Sequence, residues 1–425
     1  MLKNIFKYNK IAIIFFIILS FPFLVYPAYA YWDKLNYNNQ VLLSTGEWAT
    51  TITTPAQFKA LSEKTNSLET DVYIIMNNLN FSGTSWTYNS NNRSTTFRGK
   101  IYGNNKTISN LTISNNYNNS NYLYHGIFAR IENASIYNLN FNNVNLTLNS
   151  TSLGSTRIMA GLIAGDAYGG TNVFRNITIS NSGVRATSAN GSGGLIGRIS
   201  GSSTTVNIEN IKTTNLKVFN KSSNSGGLVG RVYSSGAQLS VKDIDLDGEV
   251  FSYNATSYTG GIVGNIAGGG IVDITRVILN VTSRNTLETN STYYNRYSQR
   301  YLGGVIGYSD SASSNVVITD VFFTGALFTQ ANNRRGDIGT ITGSTSSINT
   351  RPDYSNTYYA YVQFRSSSGQ VVYDPGATPT GQMSPEVGNN QIPTISWWNT
   401  FFTNFNLTND YWAQNVTTGQ PYLTR

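Results

Sequence analysis

A short glycine motif returns along this chain at intervals of 32 to 35 residues, with one longer interval of 43. Each copy reads glycine, two mostly apolar residues, and then glycine or alanine. A repeat of this period is typical of a solenoid, in which every unit stacks on its neighbours. The first glycines of the copies are Gly126, Gly161, Gly194, Gly227, Gly261, Gly304 and Gly336.

A second pattern follows most copies and reads apolar-x-Asn-apolar-x-apolar, as in Phe174-Arg-Asn176-Ile-Thr-Ile179. The alternation indicates a strand, but the apolar residues on either side of the Asn are three apart, which indicates a bend. Asn tolerates the left-handed backbone that such a bend requires. Coils stacked about 4.8 Å apart would align these positions into a ladder. We predict that its members are Asn110, Asn138, Asn176, Asn210, Asp243, Arg276 and Asp320.

Arg276 interrupts this ladder of amides and carboxylates. Its place between Asp243 and Asp320 predicts a stacked acid-base-acid triplet. We interpret the triplet as local charge compensation, and a ligand site for an anion or a sugar is the alternative. Replacement of Arg276 is therefore expected to lower stability before it affects binding.

The energetics of one coil favour stacking over independent units. Three buried aliphatic residues contribute about 2 kcal/mol each, whereas ordering some thirty residues costs about 1 kcal/mol or more apiece. The predicted fold class is therefore all-β, a parallel β-helix with coils of about 33 residues.

Several segments resemble the bacterial GLUG repeat. Copies such as Gly227-Leu-Val-Gly230 match its core, Phe97-Arg-Gly99 through Asn110-Leu resembles its opening coil, and Pro421-Tyr-Leu423 resembles its closing segment. The resemblance spans roughly residues 50 to 425. It implies a right-handed parallel β-helix in a secreted or surface protein, and it implies little about chemistry.

The first thirty residues read as a secretory signal. Lys3, Lys7 and Lys10 precede an apolar run, and Ala28-Tyr-Ala30 predicts cleavage after Ala30. An uncleaved membrane anchor is the alternative, and it would be the chain's only membrane contact. Only 12% of residues are charged and the chain has no cysteine, so we expect neither nucleic-acid binding nor disulfides.

Four regions follow from these signals: 1–30 as signal peptide, 31–71 with a capping helix, 72–344 as β-helix and 345–425 as a closing segment. Thr54 is the predicted N-cap of the helix and Pro55 its first residue, with Phe58 and Leu61 on one face. The closing segment is rich in aromatic residues, which we expect to cap the β-helix, with carbohydrate stacking as the alternative. These aromatic residues are Trp397, Trp398, Phe401, Phe402, Phe405, Tyr411 and Trp412.

Catalytic chemistry has few candidates. His125 is the only histidine and is expected in a strand, so we predict no catalytic residue and no cofactor, and leave enzymatic activity open. Asp245, Asp247 and Glu249 form an outward acidic stripe that is a weak candidate for Ca²⁺.

The long interval contains an insertion between Arg284 and Tyr301, which is our candidate binding loop. Its tyrosines and arginines favour recognition of sugars or proteins, and they are Tyr293, Tyr294, Arg296, Tyr297, Arg300 and Tyr301. A smaller loop spans Tyr117 to Tyr124. The sequence thus predicts an adhesin-like or structural protein, secreted or at the cell surface, with extracellular glycans or proteins as partners. A polysaccharide lyase or hydrolase is the second reading, and a self-assembling filament or coat subunit is the third.

Overall fold

The computed structural model describes residues 49–425 with gaps at 65–66, 85, 87–94, 118–122, 151–157, 188, 222, 253–256, 286–300, 310–314, 324, 330–337, 340–341, 346–352, 360–362, 366–411, 415, 418–420 and 424–425. The signal segment and most of the candidate binding loop lie outside these residues. The described chain contains no helix long and apolar enough to cross a membrane.

One helix and thirty-two strands make up the described chain. The helix is α1, Pro55–Ser62. The first twelve strands are β1 Ala49–Ile52, β2 Val72–Ile75, β3 Leu79–Asn80, β4 Thr96–Ser109, β5 Thr112–Tyr117, β6 Leu123–His125, β7 Phe128–Asn142, β8 Asn145–Ser150, β9 Ile158–Gly161, β10 Ala164–Tyr168, β11 Thr171–Ser180 and β12 Gly183–Ala186. The middle strands are β13 Ala189–Gly193, β14 Ile196–Ser200, β15 Thr205–Thr214, β16 Leu216–Asn220, β17 Asn224–Gly226, β18 Val229–Tyr233, β19 Gln238–Ser252, β20 Tyr258–Gly260, β21 Val263–Ala267 and β22 Ile271–Asn285. The last strands are β23 Tyr301–Gly303, β24 Ile306–Ser309, β25 Asn315–Phe323, β26 Ala326–Thr329, β27 Ile338–Gly339, β28 Thr342–Thr345, β29 Asp353–Tyr359, β30 Gln363–Arg365, β31 Trp412–Gln414 and β32 Pro421–Leu423.

The architecture is a parallel β-solenoid, which confirms the predicted fold class. In the coil formed by β9 to β12, each strand pairs in parallel with the equivalent strand of the coils on either side. The parallel ladders form a 23-stranded sheet and a 7-stranded sheet. Aliphatic and aromatic side chains from every face fill one continuous core between these ladders.

Left-handed residues bend each coil at fixed places. Around Asn176 the flanking Phe174 and Ile177 are both buried, although they are three residues apart. Asn176 has φ of 57°, and its Nδ2 donates to Asn138 Oδ1 at 2.7 Å. Asn210 Nδ2 donates in turn to Asn176 Oδ1 at 2.7 Å, so each amide bonds to the next coil. Asp243, Arg276 and Asp320 continue the column with φ of 55°, 53° and 57°.

Asn110 departs from the predicted ladder because it lies in a second, parallel column. It accepts a hydrogen bond from Asn143 Nδ2 at 2.9 Å, and it has φ of 56°. The first coils have this second bend a few residues after the first, and Asn181 and Asn215 occupy it in the two coils that follow Asn143. The position beneath Asn138 in the first column belongs to Asn105, because the next residue, Lys106, pairs with Leu139.

The glycine motif forms a corner at which backbone meets backbone. A β-carbon on Gly193 would lie 2.0 Å from Ile196 O, and one on Gly194 would lie 2.0 Å from Gly227 O. A β-carbon on Gly197 would lie 2.4 Å from Ala160 N. Each of these glycines is therefore required by close approach, a role that the sequence pattern alone does not separate from backbone flexibility.

The register of this corner differs by one residue from the predicted alignment of the copies. Gly161 pairs with Gly193, so Gly194 aligns with Leu162. At the far end Gly339 pairs with Gly303, and Gly336 lies outside the described residues. Because the motif contains several glycines, its copies can be aligned with each other in more than one way. The hydrogen-bond register between the strands determines which alignment is correct.

Helix α1 has the predicted start. Thr54 is its N-cap, Pro55 its first residue, and Gln57 completes a capping box. Its buried Phe58 packs edge-on against Trp86, with ring centroids 6.4 Å apart. The parallel ladders extend further than residues 72–344, since β1 pairs with β2 and β25 pairs with β29.

Substitution of Gly230 by Ala is expected to cost several kcal/mol or to prevent folding, because the new β-carbon would lie 2.5 Å from Ser192 N. Gly268→Ala is the matched control: Gly268 has φ of +68°, but its nearest neighbouring atom would be 3.7 Å away. The control should cost only about 1–2 kcal/mol of backbone strain. Urea unfolding followed by circular dichroism measures both. Equal losses would contradict the close packing of this corner.

Candidate binding face

Of the residues predicted in the binding loop, the structure describes Tyr301, which opens β23. Tyr293, Tyr294, Arg296, Tyr297 and Arg300 lie outside the described residues. Tyr301 is half-buried on the outer surface of the 7-stranded sheet, paired with Tyr258 of the preceding coil. In sequence, the loop therefore ends at a half-buried tyrosine that pairs with another half-buried tyrosine.

Tyr258, Tyr301 and Tyr308 form a compact aromatic group, which we call the tyrosine cluster. The ring centroids of Tyr258 and Tyr301 are 5.1 Å apart with an interplanar angle of 19°. The Tyr308 ring lies 4.8 Å from that of Tyr258 and 4.6 Å from that of Tyr301. All three side chains are half-buried, so part of each ring surface remains in contact with solvent.

The glycine corner brings two rows of side chains together to make this face. One row runs along the 7-stranded sheet through Tyr124, Tyr258 and Tyr301. The other row, which we call the arginine row, lies just after the glycine motif: Arg130 follows Ala129, and every later member directly follows a glycine. In register, its members are Arg130, Asp166, Arg198, Arg231, Asn265 and Tyr308.

Asp166 organises the first half of the arginine row. Its fully buried carboxylate accepts from Arg198 Nε at 2.8 Å, Arg198 Nη2 at 3.1 Å and Arg130 Nε at 3.2 Å. Burial opposes the charge of Arg198, but the hydrogen bonds and charge of Asp166 outweigh it and raise the pKa of Arg198. Arg130 also lies over the rings of Tyr124 and Tyr168, at 4.7 and 4.6 Å from their centroids. This half of the row is thus a satisfied structural network.

Arg231, in the middle of the row, has a different environment. Its guanidinium carbon lies 4.0 Å from the ring centroid of Tyr233, whose side chain is 44% exposed. Its Nη1 donates a long hydrogen bond of 3.4 Å to Asn190 Oδ1. Burial and the nearby charge of Arg198 lower the pKa of Arg231, although Tyr233 and Tyr258 oppose this effect.

A second lateral surface is a groove of about 360 Å³ along β8, β12, β16 and β19. Gly183 is among the residues that line this groove. Arg185 lies over the Phe219 ring at 4.7 Å, and that ring lies 5.2 Å from Phe251. The sequence motifs do not indicate this groove, because its residues lie outside both the glycine motif and the asparagine pattern.

The predicted triplet around Arg276 is built on a buried carboxylate. Arg276 Nε and Nη2 donate to the two oxygens of Asp243 at 2.7 and 2.8 Å, and Asp243 is fully buried. These hydrogen bonds raise the pKa of Arg276, and the charge of Asp320 adds to the effect. Removing one member of such a pair costs about 3–5 kcal/mol, more than an exposed ion pair would.

Asp243 also receives the C-terminal segment. Trp412 Nε1 donates to Asp243 Oδ1 at 2.8 Å, and Trp412 is buried. The antiparallel hairpin of β31 and β32 therefore packs on the side of the middle coils, whereas the sequence predicted an aromatic cap at the end. The indole N–H needs an acceptor when it is buried, and Asp243 supplies one. Trp397, Trp398, Phe401, Phe402, Phe405 and Tyr411 lie outside the described residues.

The acidic stripe does not converge on one point. Asp245 faces Lys212 Nζ at 3.9 Å and accepts a hydrogen bond from the backbone of Leu423. Asp247 accepts from Asn280 Nδ2 at 2.8 Å, and Glu249 pairs with Arg284 Nε at 2.9 Å. In the part of the chain that the structure describes, no three acidic or histidine side chains are grouped to hold a metal ion. His125 ends β6 and is buried.

Asp245→Asn is expected to leave the protein at least as stable at neutral pH. Burial raises the pKa of Asp245 despite the opposing charge of Lys212, so the folded state binds this proton more tightly. The free energy of unfolding should then decrease as pH rises from the ordinary pKa of an aspartate through the raised pKa of Asp245. The asparagine side chain cannot ionise, so the variant should not show this decrease. Thermal unfolding between pH 3 and 8 measures the effect.

Asp71→Asn is the contrasting variant. Burial raises the pKa of Asp71, but hydrogen bonds from Lys64, the Leu68 N–H and Tyr73 outweigh it and lower the pKa overall. This variant should lose stability at neutral pH, and the loss should vanish as pH falls through the lowered pKa. The same sign for both variants would contradict this description of Asp245.

Comparisons with known proteins show the fold. No family model matches the chain, and no curated protein matches it. One similar solved structure is the "putative immunoglobulin A1 protease from Bacteroides ovatus", with 16% identity, a TM-score of 0.50, and coverage of 89% of this chain and 93% of that one. A second, titled "IgA1 Protease", has 13% identity and a TM-score of 0.42, and the match covers 84% of this chain and 28% of that one. At this identity the first likeness shows that both chains share a β-solenoid fold.

Proposed function

We propose that this chain is a secreted or cell-surface, adhesin-like β-solenoid that binds glycans through the tyrosine cluster. The observation that carries the proposal is the grouping of Tyr258, Tyr301 and Tyr308, with ring centroids 4.6 to 5.1 Å apart on an outward face. Partly exposed tyrosines offer both an apolar ring and a polar rim, which suits the apolar faces and hydroxyls of sugars.

The scaffold supports binding because it holds these rings on strands. Tyr258 and Tyr301 lie on β20 and β23, which are paired in parallel, and Tyr308 lies on β24 across the glycine corner. Side chains on a rigid ladder lose little conformational freedom on binding. The candidate loop, rich in Tyr and Arg, ends in sequence at Tyr301 and so joins the same face.

Location outside the cell rests on the predicted signal segment 1–30 and on the resemblance to the GLUG repeat, which is typical of secreted and surface proteins. The similar Bacteroides ovatus protein shares only 16% sequence identity with this chain, so we do not assign protease activity to this chain. Cleavage of a polysaccharide usually requires two carboxylates beside the bond. Asp166 and Asp243 are instead buried and held by arginines, so neither offers a free carboxylate to a bound sugar.

The proposal predicts that Tyr258→Ala weakens glycan binding about tenfold, which corresponds to about 1.4 kcal/mol. The measurement is binding of the purified protein to a panel of cell-wall and host polysaccharides, by co-sedimentation and titration. Tyr137→Ala is the matched control: its ring stacks on Tyr102 at 5.3 Å, on β7 and away from the tyrosine cluster. The control should bind as the unchanged protein does.

The same incubations are assayed for new reducing or unsaturated ends. New ends would show that the protein cleaves polysaccharide and would contradict the adhesin-like function. Equal weakening by Tyr258→Ala and Tyr137→Ala, or binding to no polysaccharide in the panel, would overturn the role of the tyrosine cluster.

A further inference from the structure

The arginine row contains more positive than negative charge. Its members in consecutive coils include three arginines and one carboxylate, Asp166. Asp166 binds Arg130 and Arg198, and it also accepts from Ser200 Oγ at 2.9 Å. The next position beyond Arg231 is the neutral Asn265. The row therefore has no carboxylate left for Arg231.

Arg231 is a partly buried cation without a counter-charge among the described residues. Within the described chain its Nε has no hydrogen-bond acceptor, and the side-chain hydrogen bond that it makes there goes to the neutral Asn190. A guanidinium withdrawn from water without an ion pair is unfavourable, and this is the sense in which burial lowers its pKa. Arg198, one coil away, adds a like charge.

Arg231 and the aromatic rings beside it are suited to bind a sugar that has a carboxylate group. Tyr233 lies against one side of the guanidinium, and Tyr258 of the tyrosine cluster is close enough to affect its charge. A guanidinium has five N–H donors in a planar fork that fits a carboxylate. With the residues that the structure describes, Arg231 makes a single hydrogen bond, at 3.4 Å. Aromatic rings beside such a fork provide a surface for the pyranose ring to which a carboxylate is attached.

We propose that Arg231 binds the carboxylate of an acidic glycan, a uronic-acid type of sugar, while the tyrosine cluster contacts the neighbouring sugar rings. This inference rests on the proposed glycan-binding function and adds the chemical class of the ligand. The bound carboxylate supplies the negative charge with which Arg231 forms an ion pair. An ordinary surface arginine, such as Arg175 with its partner Glu209 at 2.7 Å, has no such deficit.

The test uses oligogalacturonate and its methyl ester, which differ in charge at the carboxyl group. Titration should show the acid binding at least tenfold more tightly than the ester, and Arg231→Gln should abolish this difference. Arg231→Lys keeps the positive charge but loses the planar fork of donors, so this variant should retain part of the preference for the acid over the ester. Arg175→Gln removes one positive charge elsewhere and should change neither affinity.

A stability measurement makes the test independent of the ligand. Arg231→Gln should unfold at the same or a higher temperature than the unchanged protein, because an uncompensated charge is removed. Arg198→Gln should unfold at a clearly lower temperature, because Asp166 loses its bidentate partner. Destabilisation of both variants would show that Arg231 has a structural role and would overturn the inference.

The outcomes also separate this inference from the function it rests on. Equal binding of acid and ester, with both weakened by Tyr258→Ala, would refute the carboxylate site and leave glycan binding intact. No binding of either compound, or of any polysaccharide in the panel, would overturn both. A preference for the acid that survives Arg231→Gln would place the anion elsewhere on the face and overturn the assignment to Arg231.

Discussion

The structure depends on one constraint: every coil must repeat the path of the coil beside it, within one hydrogen-bond spacing. Parallel pairing joins equivalent residues of neighbouring coils, such as Arg276 and Asp243, 33 positions apart, and Asn210 and Asn176, 34 positions apart. A bend in one coil must therefore recur in the next, or the ladder breaks. Left-handed asparagines and tightly packed glycines recur for this reason. Arg276 adopts the same φ of 53° without an amide side chain, and its pairing with buried Asp243 offsets the strain.

The same constraint explains how side chains from distant parts of the sequence become neighbours. A residue directly after the last glycine of each motif points to one face, so five such positions become a row of Asp166, Arg198, Arg231, Asn265 and Tyr308. The backbone determines where these side chains stand, and their identities are free to vary. That freedom permits a closed ion-pair network at one end of the row and a group of tyrosines at the other.

The periodic features could be predicted from sequence because they reflect the backbone. The solenoid, the capped helix starting at Pro55 and the bend at Asn176 all follow from spacing. The column of Asn110 could not, because both bends of a coil share one signature and only the hydrogen-bond register separates them. The docking of Trp412 on Asp243 joins residues 169 apart with no repeat between them. The arginine row does have a signal, since aligning the motifs by their last glycine brings together its members from Asp166 to Tyr308.

The most direct test of this account compares glycine and alanine at Asn176. Both variants lose the hydrogen bonds to Asn138 and Asn210, but only glycine adopts φ of 57° without strain. The account predicts that Asn176→Ala unfolds with about 1 kcal/mol less free energy than Asn176→Gly. At Asn207, a position of ordinary strand backbone on β15, glycine should instead be the less stable by about 0.5–1 kcal/mol. Alanine more stable than glycine at both positions would contradict the left-handed bend as the feature on which stacking depends.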